Sequence, residues 1–174
     1  MDIIEDYVNN VKYYMFIEND KINGCGQCEC ISEDVRSVEV SQEVYNTYVE
    51  DDLTYVWDPV NEEVIPNPNY AQEQAIRHRQ ELDQLTLTPA DVERALYKAK
   101  GMDFDDLKAF IAQQIPTIDV KGLAIEFRAK DFYRGAEANG VRLFDTIGQL
   151  LGYNVPEDMD YLFQHKELPS NSEE

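Results

Sequence analysis

Apolar and polar positions along this chain change their spacing near residue 67, from short strand-like runs to a helical period. Tyr13-Tyr14-Met15-Phe16-Ile17 is an aromatic and β-branched run that predicts a strand. Asn19-Asp20-Lys21-Ile22-Asn23-Gly24 supplies a turn, with Asn23-Gly24 suited to positive φ, and leads into a hairpin partner over 25–31. Val35, Val38 and Val40 predict another extended segment. Ser41 then caps a short helix that has Glu43 in its first turn and Val44, Tyr48 and Val49 as its buried stripe. Leu53-Thr54-Tyr55-Val56-Trp57 predicts the next strand, turned by 58–63 into Val64-Ile65 and stopped by Pro66.

Beyond Asn67-Pro68-Asn69-Tyr70 the signals are helical. A helix from about Asn69 to Leu85 has few apolar residues besides Ala75, Ile76 and Leu82, and so predicts an exposed connector. Thr88-Pro89-Ala90-Asp91 places a hydroxyl at the N-cap, proline at N1 and a carboxylate at N3. Val92, Leu96 and Ala99 form that helix's stripe, and Gly101 its C-cap. Another helix opens at Asp103 with Asp106 in its first turn, burying Phe104, Leu107 and Ile111. A third, over 118–134, carries Ile125, Ala129, Phe132 and Tyr133 and ends at Gly135, so that Arg134 belongs to a helix terminus. The next buries Leu143, Ile147, Leu150 and Leu151 and stops at Gly152. The last starts at Pro156 with Met159, Leu162 and Phe163 inward.

The expected fold class is therefore α+β: a small antiparallel β-rich N-terminal module, a connecting helix, and a C-terminal bundle of short α-helices. The predicted boundaries are an extra acidic segment over 1–11, the β-rich module over 12–66, the connector over 67–87, the bundle over 88–168 and a flexible tail over 169–174.

Charge sharpens this division. The chain holds 35 acids and 15 bases in 174 residues, for a formal charge of −20. Residues 1–66 contribute 16 acids against 3 bases, whereas 67–174 carry 19 against 12. Binding a phosphate backbone needs a positive surface, so direct nucleic-acid binding is not expected. With 43% hydrophobic residues the chain has material for a core, unlike an aromatic-poor disordered acidic segment. No run of about 18 apolar residues predicts a membrane span, and the first residues lack a signal-peptide pattern.

Candidate chemistry is sparse. Cys25, Cys28 and Cys30 include a CxxC spacing that lets two thiolates share a metal or a disulfide. They are the metal candidates, but a closed zinc site takes four ligands, and His78 and His165 lie on predicted helices elsewhere. Alternation along a strand instead places Cys28 and Cys30 on one face with Gly26, as small core residues. No cofactor is expected. Placing Gly24 at the EF-hand glycine makes Lys21 a ligand and Cys30 the distal residue, which is not a calcium loop. Glycine-rich phosphate loops, GxSxG and HExxH are missing from the sequence, and an enzyme is not expected.

Aromatic residues are the remaining signal. Tyr45, Tyr48, Tyr55 and Trp57 cluster in the acidic module. They suit a small β core, and equally a contact surface, in which case they are the partner-binding candidates.

Several segments taken together resemble uncharacterised phage and prophage proteins of Gram-positive bacteria from the tail and host-recognition gene region. They are Tyr13 to Ile17, Tyr55-Val56-Trp57-Asp58, Asn67-Pro68-Asn69-Tyr70, Leu85-Thr86-Leu87-Thr88, Ala95-Leu96-Tyr97, Phe132-Tyr133-Arg134-Gly135 and Asp160 to Lys166. The resemblance spans most of 12–168 but not the cysteine cluster. It implies a phage structural or assembly protein that binds tail or baseplate components, in the host cytoplasm or within the virion, and it transfers no site residues. The alternative expectation is an acidic inhibitor that imitates nucleic acid and occupies a basic groove of a host defence protein. The expected partners are thus phage tail proteins or a host protein, with homo-oligomers also allowed.

Overall fold

The computed structural model describes residues 11–32, 34–115, 130–138 and 140–169. The chain is α+β and divides into two compact units, residues 1–76 and 77–174.

In the first unit, β1 (Lys12–Glu18) is the central strand of an antiparallel sheet, flanked by β2 (Lys21–Cys28) and β3 (Ser37–Val40). The β1–β2 turn lies at Asn19 and Asp20, which take φ of +51° and +56°. This lies at the start of the turn expected over 19–24, but the positive φ expected at Asn23-Gly24 is corrected: those residues are inside β2, where the register slips between Phe16↔Gly24 and Ile17↔Ile22. The slip lets Cys25 and Ile22, three residues apart, both pack against the core around Met15 and Ile17. On the other face Phe16 lies over Gly26, where a Cβ would come within 3.0 Å of the ring, so glycine makes room for the aromatic.

Ser41 caps α1 (Gln42–Glu50) as expected, its Oγ accepting from Val44 N at 3.2 Å. Val44 and Tyr48 pack on the core, but Val49 is 59% exposed and leaves the predicted stripe. A hairpin of β4 (Tyr55–Asp58) and β5 (Glu63–Pro66) pairs Trp57 with Val64. Its turn is held by Asp58, whose carboxylate accepts from Val60 N, Asn61 N and Asn61 Nδ2. These donors hold its carboxyl below the usual range, the Val60 amide first.

Asn67 is buried and fully used. Its Nδ2 donates to Leu53 O at 2.8 Å and to Glu73 Oε2 at 2.9 Å, and its Oδ1 accepts from Asn69 N at 2.9 Å. It thereby ties the end of β5 to the first turns of α2 (Tyr70–Asp83). Leu82 is the one buried residue of α2, and Ile76 is 50% exposed, as a polar connector requires.

In the second unit α2 ends at Asp83, short of the expected Leu85, because Thr86–Leu87 form β6 and pair with β7 (Phe132–Tyr133). The expected third helix is thus overturned at its C-terminal end; its residues 118–129 lie outside the described residues. Thr88 caps α3 (Pro89–Lys100), accepting from Asp91 N, and Gly101 ends it at φ +68°. Its buried stripe is Val92, Ala95 and Leu96, while Ala99 is exposed, contrary to expectation. A capping box of Asp103 and Asp106 opens α4 (Phe104–Gln114), with Phe104, Leu107 and Ile111 buried. A short ladder, β8 (Glu137–Ala138) with β9 (Val141–Arg142), leads into α5 (Leu143–Leu150), and α6 (Glu157–His165) follows. Phe104, Phe132, Phe144 and Phe163 run through the core edge to face, with centroids 6.4, 5.4 and 4.8 Å apart. Phe132 reaches this relay because it belongs to a strand, which is also why the helical stripe assigned to it fails.

Candidate functional site

A groove of about 360 Å³ in the first unit is lined by Tyr48, Leu53, Tyr55, Val56, Trp57, Ile22 and the charged Asp20, Lys21, Asp52 and Glu73. Three of the four aromatic candidates therefore converge. Tyr48 comes from α1, while Tyr55 and Trp57 come from one face of β4, two residues apart. Tyr45 does not join them: its ring packs on Tyr13 at 5.0 Å. Trp57 serves both roles left open by the sequence, being 7% exposed and part of the core while one side of it lines the groove.

The groove's carboxylates differ in their neighbours. Asp20 Oδ1 accepts from Arg36 at 3.1 Å, and Arg36 also reaches Glu62 at 3.7 Å. The Arg36 guanidinium sits 5.3 Å from the Trp57 ring centroid. Glu73 accepts from Asn67, a neutral amide that orients the carboxylate without cancelling its charge. Burial, followed by the charge of Asp52, pushes the Tyr48 phenol up.

The second unit contains a different polar cluster, one that sequence reasoning missed. Arg142 bonds Asp83, which bonds Arg79, which bonds Asp160, which bonds Arg134, which bonds Asp145. Four of these links are 2.6 Å long and the Asp83–Arg79 Nε link is 2.9 Å. Arg134 has no exposed surface and also donates to Pro156 O at 3.2 Å, so it is an internal strut and not the helix-terminal residue expected. Burial works against the charge on Arg79, but the hydrogen bonds it donates to Asp160 and Asp83, with the charges of those carboxylates, outweigh it and raise its pKa. Three guanidiniums and three carboxylates of alternating sign leave the chain neutral, which suits structure and leaves no net charge for a ligand. The one signal for it in the sequence was Arg134 beside Gly135.

Among the described residues, the core void and the cysteines hold no site. A void of about 20 Å³ in the core of the second unit is walled by apolar side chains such as Val92, Phe132 and Met159, room for about one water molecule with no polar partner. The cysteines separate: Cys25 lies opposite the buried Met15, Cys28 ends β2 opposite Lys12, and Cys30 is exposed beyond the strand. The core thiol is thus Cys25, which corrects the expected placement of Cys28 and Cys30 inward with Gly26. Among the described residues no group of three or more His, Cys, Asp or Glu side chains converges as a metal site, and no helix is long and apolar enough to cross a membrane. Comparison with protein-family models, with curated proteins and with solved structures found no match to this chain.

Proposed function

We propose that this is a non-enzymatic phage structural or assembly protein that binds other tail or baseplate proteins through its acidic N-terminal unit. The observation that carries the binding role is the groove, which sets two tyrosines and a tryptophan beside three carboxylates on a unit with 17 acids and 3 bases in residues 1–76. Tyrosine and tryptophan are the side chains that protein contact surfaces concentrate. The phage context rests on the segment resemblance, which supports a location in the host cytoplasm or within the virion. Affinity capture from an induced lysate tests it: tail or baseplate proteins should be recovered, and recovery of host enzymes alone would sink the reading.

The charge excess of the same unit favours a second reading, an acidic inhibitor that occupies a basic groove of a host defence protein. Binding that collapses as salt rises would favour it, because dispersed surface charges are screened over about 10 Å at 0.1 M ionic strength. Contact through the aromatic groove would survive.

A further inference from the structure

We propose that two copies of the chain pair through the open edges of β2, antiparallel about a two-fold axis at Gly26, and so join their three-stranded sheets into one. Self-pairing of this edge does not depend on which partner the acidic unit takes. Among the described residues no strand pairs with the outer side of β2, and no turn or loop backbone bonds to residues 22–28. The strand is eight residues long and its only charge is Lys21. The other edge strands of the unit have four residues each and carry Glu39, Asp58 or Glu63. On a unit with 17 acids and 3 bases, β2 is therefore the edge on which two copies can meet without opposing carboxylates.

The ladder fixes which groups face out. Ile17 N donates to Arg36 O at 2.9 Å and continues the β1–β3 register, so the odd residues of β1 bond β3 and the even ones bond β2. Gly24, Gly26 and Cys28 lie opposite Phe16, Tyr14 and Lys12 and turn their main chains inward, which leaves those of Cys25 and Gln27 at the open edge. About an axis at Gly26, Cys25 of each copy faces Gln27 of the other, each pair exchanging two main-chain hydrogen bonds.

Two further features make the edge complementary to itself. The Phe16 ring leans from β1 over Gly24 and Gly26, where a Cβ would stand 3.9 and 3.0 Å from it. That ring is half-buried in one copy, and across the axis the two rings approach each other over a floor of glycine. Antiparallel pairing also sets the Lys21 end of one strand beside the Glu29 end of the other, twice by symmetry. Among the described residues neither Lys21 nor Glu29 has an ion-pair partner within its own copy.

Sedimentation equilibrium of the intact protein, with reductant so that the exposed Cys30 cannot link copies, should show a reversible monomer–dimer equilibrium. Gln27→Pro removes an outward N–H, which an edge strand tolerates, and should abolish the dimer. Lys21→Glu should raise the dimer Kd by about fivefold or more, since the contact occurs twice, and Lys21→Glu/Glu29→Lys should restore it. Should Gln27→Pro misfold, amide exchange of the native protein decides. The Cys25 and Gln27 amides should be protected in a concentrated sample and lose protection on dilution, while the Gly26 amide, bonded to β1, stays protected in both. A monomer at every concentration, an unchanged dimer in folded Gln27→Pro, no rescue by the charge exchange, or Cys25 and Gln27 amides that exchange freely in the dimer overturns the proposal. So does protection that appears only with a captured tail protein, which would assign the edge to a foreign strand. A monomer that still captures tail proteins leaves the proposed function standing.

Discussion

Nε of Arg134 lies 2.6 Å from Oδ1 of Asp160, although the arginine side chain is wholly shielded from solvent. Its Nη2 takes Asp145 at the same distance, so one guanidinium joins the β6–β7 ladder to α5 and α6. Replacing it takes the guanidinium from Asp145, which is only 20% exposed, and leaves Asp160, 17% exposed, to Arg79. Arg134→Met is therefore expected to destabilise the second unit by about 3–5 kcal/mol. Arg134→Lys should recover little of that, because an ammonium lacks the planar fork that reaches both partners. Urea unfolding midpoints of the two variants check this, and a native midpoint for either would refute it.

Gly135 follows that arginine and is pressed against α2. A Cβ there would lie 2.9 Å from Asp83 Cβ and 3.0 Å from the Asp83 carbonyl oxygen, and backbone cannot swing aside as a side-chain tip does. Gly135→Ala should cost about 1–3 kcal/mol. Gly24→Ala, whose Cβ meets Phe16 at an ordinary 3.9 Å, should cost less. Thermal melts of the pair test the ranking.

Asp91 links the start of α3 to the end of α6. The Thr88 hydroxyl, then Lys166 at 3.1 Å, hold its carboxyl below the usual aspartate range. A carboxyl lowered in the folded state stabilises fully above its unfolded value of about 3.9, and that contribution is lost as pH falls through the lower folded value. The stability gap between the native protein and Asp91→Asn should thus be constant near neutrality and shrink below about pH 4. Unfolding midpoints measured from pH 7 to pH 3 give the curve; a gap that widened on acidification would contradict it.

The thiols should react in order of exposure. Burial pushes the Cys25 thiol up, lowering its thiolate fraction, while Cys30 stands exposed outside the strand. Brief iodoacetamide treatment followed by peptide mass spectrometry should find Cys30 modified first and Cys25 last.

Local signals were readable wherever the physics was local. Ser41, Thr88 and Asp103 announced their helices because a cap is a contact within three residues. The Tyr55–Trp57 strand was equally plain, and with it most of the groove's aromatic wall. What the sequence concealed depended on distant partners. Phe132 and Tyr133 fit a helical stripe until Thr86 and Leu87, far upstream, claim them as a strand. Glu73 gave no sign of joining Tyr48 and Trp57, since Asn67 brings it there through a buried amide. Arg134 looked like a helix end because its partners stand 11 and 26 residues away.

The alternating chain of arginines and aspartates also imposes an order in time. Asp160 lies 81 residues beyond Arg79. At a synthesis rate of about 5–20 residues per second, Arg79 and its near partner Asp83 leave the ribosome several seconds ahead of Asp160, Arg79 by roughly 4–16 s. The strands of the first unit find all their ladder partners between residues 12 and 66 and face no such wait. The nascent chain therefore offers its acidic, aromatic half complete while the other half still awaits the carboxylate that closes it.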